Sequence, residues 1–104
     1  MWLKDKPSLL ETMAKEFPNP KEFIESIIVL QAQQKEEIAE KACISVEHYY
    51  VLVKALKDGK RIKVDLCAKI AKALKIPPKV LYENICNWEM QQYLNSIQNN
   101  NSSC

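Results

Sequence analysis

A single glycine, Gly59, among 104 residues, with apolar side chains recurring at helical spacing and few alternating β-branched runs, commits this chain to helices. An all-α fold, a compact helical bundle, is expected. Pro7-Ser8-Leu9-Leu10-Glu11 reads as a capping box, Ser8 with Glu11 three residues on, opening a helix to about Phe17 that Pro18-Asn19-Pro20 breaks. Asn19 then caps a second helix, with Pro20 at its first position and Glu22 in its first turn; Phe23, Ile24, Ile27 and Ile28 follow at helical spacing to about Ala32. Further helices are expected over 34–42 and 46–57, the latter stopped by Asp58-Gly59, where glycine accepts a left-handed cap. Another runs from 64 to 75 with Ile70, Ala71, Leu74 and either Leu66 or Cys67 inside, and Pro78 begins one more through Val80, Leu81 and Ile85.

The length and the 47% apolar content support one module with a modest core. Residues 1–19 are expected as an N-terminal helix and proline hinge, 20–86 as the main helical domain, 87–97 as a separate C-terminal helix, and the Asn- and Ser-rich 98–104 as a disordered tail. Trp88, Tyr93, Leu94 and Ile97 in the C-terminal helix are candidates for a dimer interface; the alternative is packing back on Trp2, Leu9, Leu10 and Met13. Of the four cysteines, which form no C-x-x-C pair, Cys43, Cys67 and Cys86 read as reduced core residues and Cys104 as exposed. There is no apolar run long enough for a bilayer and no signal-like start, so a cytoplasmic protein without a membrane partner is expected.

The net charge of +2 conceals a strong asymmetry. Residues 1–53 carry six Lys against nine acids, 54–79 carry eight Lys and Arg61 against Asp58 and Asp65, and 80–104 carry Glu83 and Glu89 alone, for nets of −3, +7 and −2. One basic quarter is the electrostatic footprint expected beside a phosphate backbone, although a lysine-rich solvated face has the same composition.

The most specific motif is Gln34-Lys35-Glu36-Glu37-Ile38-Ala39-Glu40-Lys41-Ala42-Cys43-Ile44-Ser45, a short amphipathic helix followed by a three-residue turn and a Ser that caps the next helix. Ile38, Ala39 and Ala42 share the inner face, Ile44 plugs the turn into the core, and Ser45 offers an oxygen to the free amides of the helix beginning at Val46. From about Phe23 to Asn84 this order resembles the lambda-repressor-like, or xenobiotic-response-element, helix-turn-helix family of phage and bacterial regulators. Residues 34–42 look like that family's second helix, Ile44-Ser45 like the end of its turn, Asp58-Gly59-Lys60-Arg61 like its basic turn, 66–77 like its fourth helix, and Val80-Leu81-Tyr82 like the start of its fifth. The resemblance implies a lambda-repressor-like bundle with an extra N-terminal helix and a C-terminal helical extension. It also implies a sequence-specific DNA-binding transcriptional regulator, repressor-like, whose partner is double-stranded DNA and which acts as a homodimer. Three positions depart from the pattern: Cys43 replaces a frequent glycine, Lys35 a glutamine, and the helix after Ser45 is about one turn longer.

On that longer helix, 100° per residue turns Tyr49, Leu52, Val53 and Leu56 inward and Glu47, His48, Tyr50, Val51, Lys54 and Ala55 outward. These six are the candidates for base contact, with Lys54 suited to guanine or phosphate and Val51 and Ala55 to a thymine methyl. Gln34, Lys35, Ser45, Lys57, Lys60, Arg61 and Lys63 are the candidates for phosphate contact. With one His, no His-Glu-x-x-His pattern and no glycine-rich phosphate loop, no enzyme, metal site or cofactor is expected. A second class fits the same residues: a protein-interaction module, adaptor or inhibitor, that keeps the bundle without base readout and binds a protein partner.

Overall fold

The computed structural model describes residues 7–100, with side-chain surroundings over 8–97. These residues form six helices and, among them, no strand: α1 (Pro7–Glu16), α2 (Pro20–Leu30), α3 (Lys35–Lys41), α4 (Val46–Lys57), α5 (Val64–Leu74) and α6 (Pro78–Asn100). No described helix is long and apolar enough to cross a membrane.

Each inner face follows from the helical period. Phe23, Ile24 and Ile27 of α2, Ile38 of α3, Leu56 of α4, Ile70 and Leu74 of α5, and Leu81 of α6 are fully buried in one core. Helix α2 is its central member, touching α1, α4, α5 and α6, while α3 lies against both α4 and α5. Tyr49 brings its ring into this core, and its buried hydroxyl has no hydrogen-bond partner; burial first, then Glu25, Tyr50 and Glu36, push its pKa up.

The caps work locally. Asn19 Oδ1 accepts from Lys21 N at 3.0 Å with Pro20 at the first helical position, and the Ser45 hydroxyl oxygen accepts from His48 N at 3.0 Å to open α4. Four helices then end in the same double-bonded turn. Ala32, Cys43, Gly59 and Lys75 each take a positive φ, of 53°, 59°, 88° and 61°, while the following amide reaches back to the carbonyl five residues earlier. Three of the four are not glycine, an arrangement that costs about 1 kcal/mol at each.

The structure corrects four expectations. Helix α1 begins at Pro7, so Ser8 lies inside its first turn instead of capping it, and the Ser8 carbonyl accepts from the Thr12 hydroxyl at 2.9 Å. Residues 87–97 are no separate helix, because α6 runs unbroken from Pro78 to Asn100 and takes in the start of the expected tail; residues 101–104, with Cys104, lie outside the described residues. Cys43 is exposed at its left-handed turn position and Cys86 is half-buried, which leaves Cys67 as the core thiol, its pKa pushed up to about 11 by burial and then by Cys86.

Candidate nucleic-acid interface

Helix α4 is held at both ends and open along one side. Its N-terminus is fixed by the Ser45 cap and by the turn after α3, where Cys43 N donates to Glu40 O and Ile44 N to Ala39 O, with Ile44 half-buried against the core. Its C-terminus is fixed by α6: Trp88 Nε1 donates to Lys57 O at 3.0 Å, one of the carbonyls that the helix end leaves without an intrahelical partner. Gly59 closes this end. A Cβ there would stand 2.8 Å from Gln92 Cγ, so any side chain at this position has to displace Gln92 as well as adopt a left-handed φ.

Between these anchors the inward set is as expected, with Tyr49, Leu52, Val53 and Leu56 all buried. Glu47, His48, Tyr50, Val51 and Lys54 are exposed on the outer side, and Ala55 is half-buried at its margin. Val51 is 67% exposed and Tyr50 47%. Five of the six base-contact candidates therefore share one open face.

The phosphate-contact candidates divide. Lys57, Lys60 and Lys63 are exposed, join no described ion pair, and continue the open face of α4 from Lys54 into the link before α5. Lys63 stands at the N-cap of α5 with no side-chain cap bond, beside amides that point outward. Gln34 is exposed at the N-cap of α3, also without a side-chain bond, and the Ser45 hydroxyl keeps its proton free to donate while its oxygen caps α4. Arg61 and Lys35 are engaged elsewhere. Arg61 Nε lies 3.0 Å from Glu89 Oε1, with Tyr82 and then Glu89 raising its pKa, and Lys35 Nζ lies 3.9 Å from Glu25 and 5.9 Å from the Tyr50 ring.

The +7 segment is thus not one patch. Lys54, Lys57, Lys60 and Lys63 sit at the C-terminal end of α4, whereas Lys72 and Lys75 join Lys41 around an apolar hollow at the far end of α5, about 16 Å away along that helix. The N-terminal side of the helix pair is acidic in sequence, with Glu36, Glu37 and Glu40 of α3 and Glu47 of α4 all exposed. Along the chain the exposed charge is therefore mostly acidic from Glu36 to Glu47 and basic from Lys54 to Lys63.

Trp88 belongs to this region by its hydrogen bond to Lys57 and is half-buried, so it is not part of an outward stripe with Tyr93, Leu94 and Ile97, which stay exposed. Sequence reasoning missed the α6 clamp of Trp88, Glu89 and Gln92 on the α4–α5 link, since nothing local pairs residues about thirty positions apart. Among the described residues no group of three or more His, Cys, Asp or Glu side chains is placed to hold a metal. Comparison with known proteins finds no matching family model, no matching curated protein and no matching solved structure.

Proposed function

We propose that this chain is a DNA-binding transcriptional regulator in which α3 and α4 act as a helix-turn-helix of the lambda-repressor-like kind, with α4 as the helix that enters the major groove. The carrying observation is the open face of α4, anchored at both ends and continued by Lys54, Lys57, Lys60 and Lys63, none of which joins an ion pair among the described residues. A rigid helix of 12 residues with its outer side free suits a groove that admits one α-helix. In this reading the lysines and the Ser45 hydroxyl contact phosphate, Val51 meets a thymine methyl, and Glu47 accepts from a cytosine amino group.

A gel-shift titration against random duplexes tests it. Binding at low salt that weakens steeply as salt rises is expected, and absence of binding at low salt contradicts the proposal. The exposed Tyr50 and Val51 beside an acidic N-terminal side favour a second reading, a protein-interaction module. The double variant K54E/K60E separates the two: it sharply weakens DNA binding, and it leaves capture of a partner through Tyr50 and Val51 intact.

A further inference from the structure

We infer that the hollow at the far end of α5 is a binding site for a free apolar acid, an aliphatic carboxylate of medium chain length. Small and rigid residues make this hollow. Ala68 and Ala73 of α5 stop at Cβ, Lys75 turns the backbone left-handed at φ 61°, and Ile76, Pro77 and Pro78 carry it across to α6 as an apolar wall. The space between them has a volume of about 810 Å³, within the range of small-molecule sites and roughly 11 Å across if round. Both prolines have a fixed φ, so the wall stands before a ligand arrives and little conformational freedom is lost on binding.

The chemistry of the lining selects the ligand. Its side chains are aliphatic except for lysines. Lys41 reaches it from the end of α3 and Lys72 from the last turn of α5, both exposed and neither in an ion pair among the described residues, and Lys75 stands beside them. An ammonium group only donates, Pro77 and Pro78 have no N–H, and among the described residues no acidic side chain lines the hollow. The polar end of an occupant therefore has to accept hydrogen bonds, and lysines from two different helices favour one that carries negative charge. The negative end of α5 opposes this little, because the carbonyls of Ala71, Lys72 and Leu74 already accept from Ile76 N, Lys75 N and Gln31 Nε2, the last at 2.7 Å. The wall sets the body of the occupant: no aromatic ring lines it for stacking, so it offers burial of saturated carbon, and roughly 11 Å is the extended length of an eight-carbon acid. A nucleic-acid phosphate would meet the lysines and leave this apolar floor unfilled.

An amide NMR titration of the full chain with octanoate is the test. Saturable shifts should cluster at the amides of Lys41, Ala68, Lys72, Ala73 and Ile76, with a Kd of about 0.1–1 mM. Octylammonium, the same chain with the opposite charge, should bind at least about tenfold more weakly. K41E/K72E should lose octanoate by at least about the same factor with helical circular dichroism and melting unchanged, since both side chains are exposed. The absence of saturable shifts overturns the inference, as do octanoate shifts confined to the exposed Met90, Tyr93, Leu94 and Ile97 of α6. So does equal binding of octylammonium, or a double variant that binds octanoate like wild type. A chain that sediments with phosphatidylglycerol vesicles and shows no shift with octanoate assigns the lysines to a membrane surface and equally overturns it. The inference does not rest on the DNA reading: octanoate binding by a chain that ignores duplex refutes that reading alone, and duplex binding without octanoate shifts refutes this inference alone.

Discussion

The two turns that flank α4 have the same hydrogen bonds and opposite surroundings. Before α4, Cys43 takes φ 59° in the open, exposed to solvent; after it, Gly59 takes φ 88° against Gln92 of α6, which a Cβ would have to displace. A left-handed φ alone has not selected glycine in this chain, since Ala32, Cys43 and Lys75 accept it. Close approach has. The rear end of α4 is therefore a fixed joint closed by α6, and the front end, held by its own turn and the Ser45 cap, is open to solvent.

Substitution at the fixed joint should do the most damage. Gly59→Ala adds a left-handed strain and a clash with Gln92, and a loss of about 2–3 kcal/mol in urea denaturation is expected. A loss under 0.5 kcal/mol would mean that α6 moves aside and the joint is not fixed.

The thiols repeat the contrast between closed and open. Cys67 is closed, its pKa raised from 9.0 to about 11, so the unfolded chain loses its proton first and binds fewer protons than the native state between those values. Stability is therefore unaffected below about pH 8.5 and falls as pH rises from about 9 to 11, by about 1–2 kcal/mol from this group, and Cys67→Ala should flatten that decline. Thiol reagents should label the exposed Cys43 at once and Cys67 only on unfolding.

Two smaller effects sharpen the comparison. Trp88→Phe keeps most of the ring and removes the donor to Lys57 O, and a loss of about 1 kcal/mol is expected by thermal melting. Cys43→Gly relieves strain at the open turn and should raise stability by about 0.5–1 kcal/mol, the reverse sign of Gly59→Ala. A destabilised C43G would show that the front turn is held by more than its own backbone.

Sequence signals located α4 to the residue because two local devices bound it, the Ser45 oxygen on one side and the Gly59 turn on the other. The same clarity holds for Asn19 and Pro20 at α2. It fails at α6, whose two apolar stripes oppose one another and so read as two helices, one through Ile85 and one over 87–97, instead of as one. It fails again at Ser8, where the capping-box pattern is present but Pro7 already begins the helix. Within the candidate interface, the outward set of α4 followed from the helical period, and Tyr49 was correctly placed inside. The pairing of Arg61 with Glu89, the Lys35–Glu25 contact and the Trp88 clamp depend on how distant helices meet, which periodicity does not encode.

The salt dependence of duplex binding, measured side by side for the wild-type chain and K54E/K60E, bears most directly on the claim that α4 and its lysines form a DNA-contacting face. With Lys54, Lys57, Lys60 and Lys63 each neutralising a phosphate, the logarithm of the affinity should fall by about 3–4 for each tenfold rise in salt, and the variant's slope should be shallower by about 2. Equal slopes for the two proteins, or a wild-type affinity that does not respond to salt, would contradict it.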